Sequence, residues 1–366
     1  MGRWPAVTLA QLLMQHKLAG HYLTRATVTC YVSPLMERRE RQEKAVHGEI
    51  LKMLTSELLH QYAQVGDCLK LSDFLGFPPA GAMWAHELAA CLIPAPYDGT
   101  TCARPGARFG PAALLTASCE IEILESFSGR DFSQIPILTL PALPVAAQGP
   151  EAMVARVEDS HRLLLSAGLP TVMIGGEHSL TIGAFAAHRE REHDLVYVSF
   201  DAHADMRESY QGTKFSHACV SRRASERSPV VLLGCRSISR DEWGAINHSP
   251  QITLRMATEL RGRRFPQDVL DVIDGRPVYL TIDLDVFDPP EMPAVGTPEP
   301  GGLGWYDVLD AVERIMTRSR IAGFDIMELA PIAGLDYPNY FAARLLQVLL
   351  GRWLPECKSQ EGSSSN

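Results

Sequence analysis

No two cysteines in this chain of 366 residues stand at CxxC spacing. The eight present (Cys30, Cys68, Cys91, Cys102, Cys119, Cys219, Cys235, Cys357) are scattered, which suits reduced thiols in the cytoplasm and not a disulfide framework. Long apolar runs are missing as well. None reaches the roughly 18 to 20 residues that a membrane-spanning helix needs. The first residues carry Arg3, Lys17 and Arg25 among scattered apolar positions, without the apolar core or small-residue cleavage site of a signal peptide. Basic excess is absent too. A net charge of -9 argues against a nucleic-acid footprint, and it fits solubility as readily as it fits a cationic substrate. There is no internal repeat. What remains is an ordinary globular composition, 46% hydrophobic and 21% charged, so a cytoplasmic enzyme is the default expectation. The length allows two average domains or one large α/β domain.

What is present is concentrated in three segments: Gly175-Gly176-Glu177-His178-Ser179, Phe200-Asp201-Ala202-His203-Ala204-Asp205 and Thr281-Ile282-Asp283-Leu284-Asp285. Each follows a short apolar, β-branched run (Thr171 to Ile174, Leu195 to Phe200, Val278 to Ile282) of the kind that forms buried parallel strands. The polar residues then fall where the strands end. Side chains alternate along a strand, so Asp201 and His203 point the same way, as do Asp283 and Asp285. Six ligand-type side chains (His178, Asp201, His203, Asp205, Asp283, Asp285) can therefore converge at one sheet edge. Two imidazoles and four carboxylates exceed the needs of one ion, whereas two bridged divalent ions could use all six. Four carboxylates buried together without cations would be costly, since like charges that close cannot all stay ionised. The pattern predicts a binuclear metal centre.

From Ala90 onward, strand candidates alternate with helix candidates. Helices are expected over 151–167, 181–192, 305–318 and 341–350. Strands are expected near 135–138, at the three metal-bearing runs, and over 230–233 and 321–326. Alternating βα units imply a three-layer α/β/α fold with a mostly parallel central sheet and its chemistry at the carboxyl ends of the strands. Residues 1–84 read differently, as an N-terminal helical extension. Met36 to His60 is charged and then amphipathic, with Ile50, Leu51, Leu54, Leu58 and Leu59 at helical spacing before Pro78, Pro79 and Gly81 break it. Met36 opens Met-Glu-Arg-Arg-Glu-Arg, a plausible true start. Residues 1–35 are thus equally well read as not genuine or as an arm that packs on a neighbouring subunit. Residues 85–355 make the catalytic domain, and the Ser-rich stretch 356–366 is expected to be disordered.

The three segments match the signature segments of the arginase and agmatinase family, the ureohydrolases. Further matches lie in order along the chain. They are Pro96-Tyr97-Asp98-Gly99-Thr100 with Arg104-Pro105-Gly106-Ala107-Arg108-Phe109-Gly110-Pro111, then Ser216-His217-Ala218-Cys219. Gly296-Thr297-Pro298-Glu299-Pro300-Gly301-Gly302-Leu303 and Gly323-Phe324-Asp325-Ile326-Met327-Glu328-Leu329-Ala330-Pro331 follow. The resemblance runs from about residue 88 to 352. It implies one arginase-like domain with two divalent ions, Mn²⁺ first and Ni²⁺ as the alternative. One ion would take His178, Asp201, Asp205 and Asp283. The other would take Asp201, His203, Asp283 and Asp285. Two cations sharing a water lower its pKa toward neutrality and make a hydroxide that can attack a resonance-stabilised guanidinium carbon.

Asp205 thus belongs to the catalytic set. Glu328, after the strand at 321–326, is by resemblance the group that holds the guanidinium through a charge-assisted, bidentate pair. His217 lies in a Gly- and Ser-containing loop a dozen residues beyond Asp205. The resemblance places there the proton shuttle to the departing amine, a task that suits an imidazole. A difference in loop length from some relatives makes that alignment looser than the ligands' own. His161, His188, His193 and His248 lack ligand spacing and read as exposed or satisfied. Arg108 and Gly110 read as fixing a loop, and Trp305 as anchoring a helix start. Cys219 invites a thiol nucleophile, but the carboxylate cluster makes a metal-activated water more economical.

The segment Thr213-Lys214-Phe215-Ser216-His217-Ala218-Cys219-Val220 looks agmatinase-like and lacks the Asn with which arginases hold the substrate's α-carboxylate and amine. Agmatine or a related decarboxylated guanidino compound, cleaved to urea and amine, is therefore the first expectation. The long extension also resembles the nickel-dependent branch acting on guanidine or on biguanides such as metformin, of which this chain would be the active subunit. An amidohydrolase of formiminoglutamate or an acetylated amine is a further reading, against which Glu328 argues because an anionic substrate wants Arg or Lys. A non-catalytic oligomer subunit is the reading of another class, and the intact ligand set opposes it. The resemblance implies a homo-oligomer, trimer or hexamer, or a hetero-oligomer with a related subunit; the net charge and the lack of long apolar runs argue against nucleic acid and membrane as partners.

Overall fold

A computed structural model describes Tyr62, residues 71–77 and residues 88–354. Among the described residues the ten strands are β1 (Ala90–Ala95), β2 (Leu124–Glu125), β3 (Arg130–Asp131), β4 (Ile137–Thr139) and β5 (Thr171–Gly175), followed by β6 (Val196–Phe200), β7 (Val230–Cys235), β8 (Ile252–Met256), β9 (Val278–Asp283) and β10 (Ile321–Met327). Eight form one sheet in the order β4-β1-β5-β10-β9-β6-β7-β8, and every pairing in it is parallel. β2 and β3 form a separate antiparallel hairpin.

The alternation of side chains explains the three layers. In β6, Val196, Val198 and Phe200 join one core cluster while Tyr197 joins the other. In β9, Val278, Leu280 and Ile282 divide from Tyr279 in the same way. Helices Gly110–Ser118, Trp305–Met316 and Tyr337–Trp353 cover the first face through residues such as Leu114, Val312 and Leu346. Helices Pro150–Ser166 and Thr181–Arg191 cover the second through Met153, Val157 and Phe185. Burying each such aliphatic or aromatic side chain contributes about 1.5–3 kcal/mol.

The four central strands, β5, β10, β9 and β6, are those whose carboxyl ends carry the ligand-type residues and Glu328. The chain runs from β5 directly to β6, and β9 and β10 later fill the gap between them. A crevice outside the strand ends belongs at such a crossing point.

The strand expected at 135–138 lies at Ile137–Thr139, and the helix expected at 341–350 extends over Tyr337–Trp353. Of the extension expected over 1–84, the amphipathic stretch at Ile50 to Leu59 lies outside the described residues, as does the tail 356–366. The part described is tied to the sheet's flank. A 3-10 turn at Phe74–Gly76 places the Phe74 N–H 3.0 Å from Thr139 Oγ1 and the Leu75 N–H 2.9 Å from Ser118 Oγ. The buried Tyr62 donates its hydroxyl to the Pro141 carbonyl at 3.3 Å.

Candidate metal centre

All six residues named from the sequence meet at the carboxyl edge. His178 Nδ1 lies 3.1 Å from Asp201 Oδ2, 3.1 Å from Asp205 Oδ2 and 3.2 Å from Asp283 Oδ2. His203 Nδ1 lies 3.0 Å from Asp285 Oδ2 and 3.6 Å from Asp201 Oδ1. Two groups of potential ligands result, His178 with Asp201 and Asp205, and His203 with Asp201 and Asp285. Asp201 belongs to both, one oxygen turned to each. Asp283 stands with the first group through Oδ2, while its Oδ1 accepts the Asp285 N–H at 3.0 Å.

Local structure fixes these side chains. His178 opens a 3-10 turn that leads into the helix Thr181–Arg191. Its Nε2 is 3.0 Å from Thr281 Oγ1, which leaves Nδ1 as the ligating nitrogen, and Thr281 is itself hydrogen-bonded to the buried Asp325. Asp285 Oδ1 accepts the Ala202 N–H at 3.0 Å, and its Oδ2 accepts the Thr297 hydroxyl at 3.2 Å. Asp205 and Glu328 have φ of 50° and 67°, a left-handed conformation that side chains with a Cβ adopt at a cost and that concentrates at functional positions. Gly176 is dictated by space. A Cβ there would sit 2.0 Å from the Tyr97 carbonyl oxygen, because the loops after β1 and β5 touch backbone to backbone.

The donor set fits divalent ions. His178 Nδ1 and Asp201 Oδ2 are buried, face each other at 3.1 Å and have no hydrogen-bond partner, as two lone-pair donors around a shared cation would. Electrostatics agree. Burial, reinforced by Asp285 and Asp201, holds Asp283 well above the usual carboxylate range. Burial and then Asp201 push Asp205 up to about 7. Burial opposes charge on His203, yet Asp285 and Asp201 hold its pKa far above the ordinary value. So much negative charge in so little solvent calls for cationic compensation. Oxygen and imidazole donors of this kind accept Mn²⁺, Ni²⁺, Co²⁺ or Zn²⁺.

Glu328 is buried beside the cluster, and its Oε1 accepts the His178 N–H at 2.6 Å. Burial, with Glu177 next, raises its pKa well above the usual range, as expected of a carboxylate waiting for a cation. His217 is half-buried across the cavity. Burial, then His178 and His203, lower its pKa to about 4, so the ring is neutral. The cavity, of about 140 Å³, is lined by His178, His203, Asp205, His217, Asp283 and Glu328, among others. A larger one, of about 460 Å³, opens at the opposite edge among Leu169, His188, Arg320 and Trp353; with Glu192 as its one carboxylate, it offers no comparable chemistry.

The residues read as structural lie outside the ligand groups, although the buried His161 Nε2 has no hydrogen-bond partner among the described residues. His161 and His188 are buried and meet the Thr171 hydroxyl at 3.1 and 3.0 Å, while His193 and His248 are exposed. Arg108 pairs with Asp98, and a Cβ at Gly110 would strike the Leu329 carbonyl. Trp305 starts its helix and packs edge-on against Phe341. Burial and then Asp205 raise the Cys219 thiol to about 11, unsuited to a nucleophile. Glu177, Thr281 and Thr297 are supports that sequence reasoning missed. Thr100 and His178, the partners of Glu177 and Thr281, lie 77 and 103 residues away, and a lone hydroxyl or carboxylate leaves no periodic mark.

A parallel α/β sheet with a His- and Asp-rich cluster at its central strand ends is the architecture of a metal hydrolase. Residues 88–351 match the model of the arginase family. The chain is 36% identical to N(1)-aminopropylagmatine ureohydrolase of Synechocystis sp. over 275 residues, 73% of this chain and 90% of that protein. It is also 36% identical to agmatinase of Pyrococcus horikoshii over 71% of this chain and 90% of the relative. The crystal structure of agmatine ureohydrolase of Thermoplasma volcanium superposes with a TM-score of 0.66 at 31% identity, covering 74% of this chain and 91% of that one. The chain belongs to the arginase family, and it is a hydrolase of amidine-type C–N bonds. No helix among the described residues is long and apolar enough to cross a membrane.

Proposed function

We propose that this protein hydrolyses the guanidino C–N bond of an agmatine-type amine to urea and the free amine, with two divalent ions held by His178, Asp201, His203, Asp205, Asp283 and Asp285. The observation that carries this reading is the single cavity shared by ligand residues of both groups, Glu328 and His217. Two cations held by these residues would lower the pKa of water toward neutrality and so supply the nucleophile. Glu328 binds the substrate guanidinium and orients its carbon, because a buried carboxylate beside Glu177 gains most from a planar cation. His217, neutral and close by, takes up a proton and delivers it to the departing amine. The names of the relatives favour agmatine or N(1)-aminopropylagmatine; Mn²⁺ is the metal we propose, among the divalent ions that such donors accept. Residues 85–355 act as the catalytic domain of a homo-oligomer, trimer or hexamer, which light scattering of the purified protein would measure.

A second reading, free guanidine or a biguanide with Ni²⁺, draws support from the small cavity, which suits a compact guanidinium. One screen separates the two. Protein loaded with Mn²⁺ or Ni²⁺ is given agmatine, N(1)-aminopropylagmatine, arginine, guanidinobutyrate, guanidine and metformin, and urea and amine are assayed. Urea from the first two with Mn²⁺ is the expected result. Release from none of the six with either metal would refute both readings.

A further inference from the structure

Thr100 stands between two groups that the site needs in fixed places. Its hydroxyl is 2.7 Å from Glu177 Oε1 and 3.2 Å from His217 Nδ1, and it accepts the His217 backbone N–H at 3.0 Å. Glu177 is fully buried. Its Oε2 also accepts the Thr100 backbone N–H at 2.6 Å, and its Oε1 the Ser179 hydroxyl at 2.5 Å. Three donors therefore converge on this one side chain, and both of its oxygens are occupied as acceptors.

A hydroxyl has one proton and two lone pairs. Glu177 Oε1 takes the Thr100 proton. The His217 backbone N–H takes one lone pair. The lone pair that remains faces Nδ1, and two lone pairs cannot bond each other, so Nδ1 must carry hydrogen. Ser216 Oγ, 3.4 Å from Nδ1, is the other hydroxyl within reach and can accept from the same N–H. Tyr210 packs edge-on against the imidazole at 5.7 Å and opposes a ring flip.

We propose that Thr100, clamped by Glu177, is a positioning residue that holds His217 as the Nδ1–H tautomer, with Nε2 left bare for the substrate cavity. A bare Nε2 accepts a proton from the attacking water and returns it to the departing amine as the C–N bond breaks; the opposite tautomer would have no lone pair to begin with. This inference rests on the shuttle reading of His217.

The test uses ¹⁵N-histidine protein loaded with diamagnetic Zn²⁺ for solid-state NMR, and the Mn²⁺ form for kinetics. Signals lost in H217N identify the His217 ring. The expected result is an Nδ1–H, Nε2-bare pair in the wild type that Thr100→Val disturbs, with kcat about 10- to 100-fold lower, KM and metal content near wild type, and recovery in Thr100→Ser. An Nε2–H ring in the wild type, or a Thr100→Val protein with wild-type ring signals and kcat, would overturn the inference. Full kcat in H217N would instead defeat the shuttle reading, and the two failures are told apart by that variant alone.

Discussion

Asp201 turns one oxygen to each ligand group, 3.1 Å from His178 and 3.6 Å from His203. Asn in its place keeps the size but removes the charge and turns one oxygen into a donor aimed at the cation site. Outer-sphere partners of a metal site cost about 10- to 100-fold in affinity when lost, so a shared ligand should cost more. Asp201→Asn is therefore expected to lose bound metal and turnover together. Turnover surviving in metal-stripped variant protein would dismiss the centre. Glu328→Gln tests a different link. Its amide oxygen can still accept the His178 N–H, so elemental analysis should find near-normal metal. The charge-assisted grip on a guanidinium is lost, at about 1.5–3 kcal/mol, which is roughly 10- to 150-fold in kcat/KM. Unchanged kinetics would remove Glu328 from substrate binding.

Among the elements, the loops after β1, β5 and β10 form one joint. The Gly176 N–H donates to Ala95 O at 2.9 Å and its carbonyl accepts the Glu328 N–H at 2.8 Å, with Tyr97 pressed against it. Gly176→Ala must separate these strand ends. We expect a loss of about 1–3 kcal/mol or more in urea denaturation, with weaker metal binding because His178 and Glu328 move with the joint. Wild-type stability and metal content would contradict the packing argument. The same elements show what could be read in advance. β5, β6, β9 and β10 are apolar runs buried over nearly their whole length and closed by Gly175, Asp201, Asp283 and Glu328, so both they and their polar ends were legible. β8 is half-buried throughout and carries Thr253 and Arg255, which hides the pattern of a buried strand. Helices Val220–Ser225 and Ala257–Leu260 are too short to complete two turns of amphipathic period. The Thr100–Glu177 clamp joins residues 77 apart, and nothing local announces it.

For the molecule as a whole, acid sensitivity is built in away from the metal site. His161 and His188 lie behind β5, both meeting Thr171, and the His188 ring packs tilted against Tyr279 at 5.0 Å. Burial lowers the His161 pKa to about 3, and burial followed by the charge of His161 holds His188 well below the ordinary value. A histidine in the unfolded chain titrates near 6.5. Above that pH neither state is charged and the full stability is present. Below it the unfolded chain takes up a proton that the fold refuses, so stability falls with pH, by about 1.4 kcal/mol per unit for each ring, until the folded pKa is reached. Other groups titrate in the same range, so the useful quantity is a double difference. His161→Asn keeps a polar atom near Thr171 and removes one titrating ring. Its stability gap to the wild type is expected to be smaller at pH 5.5 than at pH 7.5 by about 1.4 kcal/mol, because only the wild type bears that ring's penalty in acid. Denaturant melts of both proteins at the two pH values measure it, and a gap that does not change with pH would show that His161 takes its proton inside the fold.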